Sequence, residues 1–364
     1  MCAATQNNMN NSLYARYWTY FLLLQIATVQ LLSLFPNFVE RYYATGIYPR
    51  LSGFMRFVFG GLPFSIGDVF YGSLMVLLLR FVYIVFRDRG SELKRYFWAV
   101  GKTLSILHLA FYLSWGMNYF RIPLASQLGI KSQTFTLTQL LYFTENLVLE
   151  VNSLQVQLNE NKQTAVSMPY SQKELYDLAL KGYQRASDSY PFLAYKNPSV
   201  KNSLFSKPLT YMGFAGYLNP FSGEAQVNDN TPLLGTAFTT CHEMAHQLGY
   251  APEKEANFIG YLACISNDNL YFQYAGKLKA LKYLLSEISK RNGTSYTNIC
   301  NQLHPGVLKN LNEATHFWKQ YQNPLEPFFK KGYHTYLKAN GQNMGIQGYN
   351  YMVGLLLNHR RAID

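Results

Sequence analysis

Three stretches of this chain lack the alternation of polar and apolar positions that marks a half-buried element, and are instead apolar all round. Tyr17 to Val39 carries no charged residue, Val69 to Phe86 carries only Arg80, and Thr103 to Phe120 carries none. Each is about as long as a helix must be to cross a hydrocarbon layer, so three transmembrane helices are expected near residues 17–36, 66–86 and 103–120. Tyr17, Trp18, Trp115 and Tyr119 sit where interfacial aromatics belong, and Arg80 can extend its head towards an interface. No small-residue cleavage site follows Leu34-Phe35-Pro36, and no apolar run precedes Cys2, so neither a cleaved leader nor lipoprotein processing is expected.

Beyond residue 120 the pattern changes to helical recurrence. Phe135 to Leu158, Lys173 to Ala186, Asn269 to Lys290 and Leu325 to Ala339 repeat apolar residues every three or four positions. Pro208 to Val227 departs from this, with glycines and the turn Asn219-Pro220-Phe221-Ser222-Gly223, and predicts a short β-hairpin with Glu224 to Val227 as an edge strand. The expected fold is mainly α: a membrane anchor over residues 1–120, then a mostly helical domain over 121–364 with a small hairpin.

The candidate chemistry lies in His242-Glu243-Met244-Ala245-His246. Histidines four apart on a helix lie roughly 40° apart around its axis, so both rings can reach one metal ion, with Glu243 beside them as a general base. Thr231-Pro232 reads as the start of that helix and Gly249 as its end. Leu234, Phe238, Cys241, Ala245 and Leu248 form its buried stripe. Pro252 then opens a second helix folded back on the first, with two acidic residues at its start, Glu253 and Glu255. These point roughly 200° apart. Glu255 shares a side with Ile259 and Leu262, so Glu255 is the expected third ligand, and Glu253 is assigned to the first-turn dipole. Two histidines and a carboxylate leave zinc a fourth position for solvent, the arrangement of a catalytic zinc.

The residues around this motif resemble a known family. Cys241 to Cys264, Tyr42-Tyr43-Ala44-Thr45-Gly46-Ile47-Tyr48-Pro49, Trp115-Gly116-Met117-Asn118-Tyr119-Phe120-Arg121 and Met344-Gly345-Ile346-Gln347 are similar to an uncharacterised family of bacterial membrane proteins, classed as a domain of unknown function, whose members resemble zincin metallopeptidases. The resemblance implies a three-span anchor in the bacterial inner membrane and a zincin-like domain. Glu255-Ala256-Asn257 also resembles the third-ligand helix of metallopeptidases that cut bacterial repressors. The expected function is a membrane-anchored zinc metallopeptidase that hydrolyses peptide bonds with a zinc-activated water. Two alternatives stay open: a non-catalytic zinc-binding receptor or scaffold, and a zinc hydrolase acting on a non-peptide amide.

Charge refines the placement. The net charge of +12 is divided equally between the first 120 residues and the rest. No basic stripe with interleaved aromatics appears, so nucleic acid is not an expected partner and lipid headgroups are. The link between the second and third apolar stretches holds Arg87, Arg89, Lys94, Arg95 and Lys102, against Arg41, Arg50 and Arg56 in the first link, which predicts a cytoplasmic second link and an extracytoplasmic catalytic domain. Cys241, Cys264 and Cys300 are an odd number, so at least one is a free thiol; Cys241 and Cys264 lie on neighbouring helices and can pair if their geometry permits, with a small hydrophobe the expected role of both. Tyr217, Tyr349, Tyr351, His316 and His334 are candidates to stabilise an oxyanion, with nothing in the sequence to choose among them.

Overall fold

A computed structural model describes residues 2–130, 134–342 and 349–363, with side chains for residues 13–130, 134–342 and 351–359. The expected Met344-to-Gln347 segment lies outside the described residues. The protein is mainly helical, with one small mixed sheet. Helices at Leu137–Asn159, Gln172–Ser189, Leu270–Arg291 and Glu326–Ala339 match the periodic stretches. The first two open with Thr136 and Ser171 in reciprocal capping boxes, with Gln139 and Glu174 as partners. Leu140, Leu147, Val151, Leu175, Tyr183, Phe258, Phe272 and Leu281 meet in one core around the helices Leu233–Gln247 and Glu253–Ile265.

Of the three expected membrane helices, Ile66–Arg87 is long and apolar enough to cross a bilayer and has none of its apolar window buried. The first stretch is a helix to Ser33 that bends by 95° into Pro36–Gly60, and the pair meets the same criterion only when taken together. The third is corrected. Its helix runs Leu93–Ser114, includes Lys94, Arg95 and Lys102, and stops short of the apolar stretch's end. The chain then enters a 3-10 turn at Gly116–Phe120, where Met117 is buried against Val29 and Val39 and Tyr119 against Ala251 and Leu337 of the domain. Apolar character in that segment reports burial in protein as well as contact with lipid. One helix, or two if the bent pair is one span, therefore has the length and composition of a crossing among the described residues.

Helix Leu93–Ser114 packs on helix Cys2–Ser33, closest at Gly101, where a Cβ would come within 2.3 Å of Thr19 Oγ1. Gln25 Nε2 donates to Ser105 Oγ at 2.9 Å in that interface, the kind of interhelical bond that fixes register where few polar partners exist.

The sheet has the order β1-β3-β2, from Val200–Asn202, Gly216–Leu218 and Ala225–Val227 in chain order. β2 and β3 form the expected antiparallel hairpin, but β1 pairs parallel with β3 on its other side. Two sequence expectations change here. Ser206–Met212 is a helix closed by Gly213 at φ +82°, and Glu224 to Val227 belongs to the central strand rather than an edge. β2 is the edge on the hairpin side.

The apolar helix Ile66–Arg87 is tied to this sheet at its first turn. Ser65 Oγ caps it by accepting from Asp68 N–H, and Glu224 accepts from Gly67 N–H at 2.6 Å. Lys201 Nζ lies 2.7 Å from Glu224, while Asp68 accepts from Leu204 N–H, Ser203 Oγ–H and Tyr217 O–H. Lys201 and Glu224 form a buried ion pair, so removing either leaves the other's charge uncompensated in the interior, although both keep hydrogen bonds to backbone groups.

Candidate metal centre

Helix Leu233–Gln247 carries the motif on its last two turns. It ends as expected: Gly249 has φ +88°, and a Cβ there would meet Tyr48 Cε1 at 2.8 Å, so both backbone conformation and space require glycine. The turn's carbonyls are held from the other end of the sequence. Tyr48 O–H donates to Gln247 O at 3.0 Å, and Trp115 Nε1–H donates to His246 O at 3.3 Å. Residues 48 and 115 belong to the expected anchor, which is thus partly built into the site. Gly260 lets the following helix approach closely, since a Cβ would lie 3.1 Å from His242 N.

The two imidazoles stand nearly perpendicular with centroids 4.7 Å apart. Between them lies the carboxylate of Glu253, with Oε2 at 3.3 Å from His242 Nε2 and Oε1 at 3.5 Å from His246 Nε2. Ligand atoms of these three residues all fall within 4.8 Å of one another. Glu253, not the expected Glu255, is the carboxylate that faces the histidines. Glu255 is buried on the opposite side of the same helix turn, where its Oε1 accepts from Leu124 N–H at 2.9 Å and Tyr351 O–H at 3.3 Å. Burial pushes its carboxyl up, against the pull of Leu124 N–H and Arg121.

Hydrogen-bonding roles decide what this cluster can hold. His246 Nδ1 lies 2.7 Å from Tyr250 O, a carbonyl that only accepts, so the ring proton is on Nδ1 and Nε2 presents a lone pair. That lone pair and the carboxylate face each other as two acceptors. Something positive must stand between them: a second proton on the imidazole or a metal ion. Without metal, burial disfavours charge on His246, but Glu253 and Glu243 outweigh it and raise its pKa to about 9. Burial similarly opposes ionisation of Glu253, while the two imidazoles hold it well below the carboxylate range. At His242 burial dominates and lowers the pKa. Two imidazole nitrogens and a carboxylate oxygen with an outer-shell carbonyl fit a zinc-type ion, and the residues present match that donor chemistry.

Glu243 projects beside this cluster towards β2, where a Cβ on Gly216 would come within 2.8 Å of its Oε1. Its Oε2 is buried with no hydrogen-bond partner. Burial raises its pKa to about 8, with His246 pulling down and Glu253 pushing up. A cleft of about 570 Å³ opens next to Glu253, bounded by Gly213, Phe214, Ala215 and Tyr333.

The domain and its site belong to a shared sequence pattern. A family described as proteins of unknown function (DUF3810) matches residues 43–357. The chain belongs to the DUF3810 family. That match begins just before Tyr48 and takes in Trp115, both histidines, Glu253 and Tyr333, so the DUF3810 unit includes the segments that brace the motif as well as the motif itself. The chain has no match among curated proteins or solved structures.

Tyr333 is the site residue that the sequence reading missed. Its O–H donates to Glu253 Oε1 at 2.5 Å from a helix eighty positions away, and nothing in local periodicity distinguishes it from the other tyrosines. The candidates named from sequence are engaged elsewhere. Tyr217 donates to Asp68, Tyr351 to Glu255, and His316 pairs with Gln320 on an exposed helix face. His334 follows Tyr333 directly and so points roughly 100° away around that helix. The side chain of Tyr349 lies outside the described residues. Cys241, Cys264 and Cys300 are free thiols, the first two buried in the core.

Proposed function

We propose that this DUF3810 protein is a membrane-anchored zinc-dependent peptidase of zincin-like design, with His242, His246 and Glu253 as metal ligands and Glu243 as general base. The observation that carries this reading is the convergence of two imidazole Nε2 atoms and one carboxylate within 4.8 Å of one another, with a buried, unpartnered Glu243 oxygen beside them. Zinc held there would supply Lewis acidity to a carbonyl and to water. The remaining work falls to the protein. Glu243 takes a proton from the attacking water and returns it to the leaving amine, for which its position beside the ligand cluster with an unpartnered Oε2 suits it. Tyr333 offers an O–H at the cleft side of the site, where a developing oxyanion needs a donor.

The substrate backbone has an edge to pair with. Asn219 N–H donates to Glu224 O and Asn228 N–H to Ala215 O, so in the alternating antiparallel pattern Gly216 and Leu218 turn their backbone groups away from β3. A peptide added along β2 would lie next to Glu243.

The membrane arrangement follows from the ties at residues 66–68. The domain holds the Ile66 end of the apolar helix, while Arg87, Arg89, Lys94 and Arg95 cluster at the far end. On the positive-inside rule that far end is cytoplasmic and the site is extracytoplasmic. Leu93–Ser114 packs on the first helix and brings the chain back to the domain at Trp115, and on this reading it is the returning segment of the anchor, although with Lys94, Arg95 and Lys102 it lacks the composition of a crossing taken alone.

The test uses the full chain in detergent or nanodiscs, loaded with zinc and offered quenched fluorescent peptides. Glu243→Gln is expected to keep its zinc and lose cleavage. Cleavage by that variant at the wild-type rate would contradict the assignment.

A further inference from the structure

Lysines in the cleft differ from lysines elsewhere on the same helix. Lys277, outside the cleft, pairs with Glu150 at 2.8 Å. Lys279 and Lys282, two and five residues further, line the cleft beside Glu253, and neither has a carboxylate partner among the described residues. Lys279 Nζ instead lies 5.2 Å from the Phe238 ring and 5.6 Å from the Tyr283 ring. Lys254 also lines the cleft, with Nζ 4.0 Å from the Tyr351 ring centroid. The two acids in the lining are already committed: Glu326 pairs with Lys330, and Glu253 faces the imidazoles and Tyr333.

None of the three ammonium groups forms a salt bridge among the described residues, Glu253 and Glu255 lying near Lys279 and Lys254 without contacting them, and a ring face compensates a cation only weakly compared with a carboxylate. Elsewhere on this helix the cations are paired, Lys277 with Glu150 of a neighbouring helix and Arg291 with Glu287 one turn back. We infer that the cleft is built to receive a carboxylate of the substrate, held by Lys279 and Lys282 with Lys254 at the rim, so that the peptide is cut near an acidic side chain or near its own C-terminal carboxylate. This rests on the peptidase reading and adds the substrate's charge to it. Aromatic walls from Tyr283 and Trp318 lower the local dielectric and strengthen the contact.

The test compares peptides of one sequence in two matched pairs: free acid against C-terminal amide, and glutamate against glutamine at each position flanking the cut. Wild-type protein is expected to prefer one carboxylate form by about tenfold or more in kcat/KM, chiefly through KM. The pair that shows the preference identifies the source of the carboxylate. Lys279→Gln/Lys282→Gln is expected to abolish the ratio while zinc content stays at the wild-type level. Equal cleavage of both pairs, or a ratio that survives in the double variant, overturns the inference and leaves the peptidase reading standing. If no peptide is cut, the peptidase reading fails, and the charge inference is read from binding of the same dansyl-labelled peptides to zinc-loaded Glu243→Gln protein. At least tenfold tighter binding of a carboxylate form, lost in the lysine double variant, supports it there; equal binding overturns it.

Discussion

Glu253 and Glu255 sit two residues apart on one helix, and each accepts from a tyrosine O–H, but Glu253 alone also faces the two imidazoles. Around Glu255 the neighbours are donors: Leu124 N–H and Tyr351 O–H, with the Arg121 guanidinium close enough to favour its charge. Around Glu253 there is one donor, Tyr333 O–H, and two imidazole nitrogens, of which His246 Nε2 is an acceptor unless the ring takes up a second proton, because its first is spent on Tyr250 O. Glu255 meets donors at Oε1, which ties the helix to Leu124 and Tyr351, while its Oε2 is buried without a hydrogen-bond partner. A carboxylate set against an imidazole lone pair needs a proton or a metal ion between them, and that difference separates a candidate ligand from a positioning carboxylate more sharply than burial does.

The largest effects should come from the acceptor side. Glu243→Gln should lower kcat by about 10²- to 10⁴-fold, the usual range for a lost general base, with zinc retained; steady-state cleavage alongside elemental analysis reads both quantities. Tyr333→Phe removes one donor and should cost about 10- to 10³-fold in kcat, with a smaller change in KM, if it stabilises charge that develops during reaction. Equal losses in both parameters would reduce Tyr333 to a support for Glu253.

On the donor side the effects should be ones of stability. Glu255→Ala leaves Leu124 N–H buried without an acceptor and should destabilise the domain by about 1–3 kcal/mol, visible as a lower melting temperature with zinc stoichiometry unchanged. Metal-free protein offers a pH test of Glu243. Its pKa is raised from the ordinary 4.5 to about 8, so the folded state binds the proton more tightly than the unfolded chain. The stability this contributes is complete below pH 4.5 and is lost as pH rises through about 8. Glu243→Gln should therefore melt higher than wild type at pH 8.5 and show a smaller gain at pH 5, in chelator throughout. A constant difference across that range would contradict the burial of an unpaired charge.

How far these features could be read in advance depended on distance along the chain. The paired histidines, the helix stop at Gly249 and the folded-back second helix follow from local spacing and backbone chemistry. The third ligand did not. Helix-wheel reasoning correctly buried Glu255, but its buried side meets Leu124 and Tyr351, whereas Glu253 reaches the histidines because the link from Leu248 to Pro252 is too short to carry the helix start away from the motif. The edge strand was misplaced for a similar reason: β1 comes from residues 200–202 and covers β3 from outside the hairpin. Tyr333, Tyr48 and Trp115 reach the site from elements with no local mark of it. Free backbone at β2 and bare lysines in the cleft are likewise properties of what surrounds them.

The most direct test is zinc content measured side by side in Glu253→Gln and Glu255→Gln after chelation and reloading. One zinc per chain in wild type and in Glu255→Gln, with none retained by Glu253→Gln, is the outcome expected if lone pairs and carboxylate meet around a cation at residue 253. Zinc retained by Glu253→Gln and lost from Glu255→Gln would contradict the account.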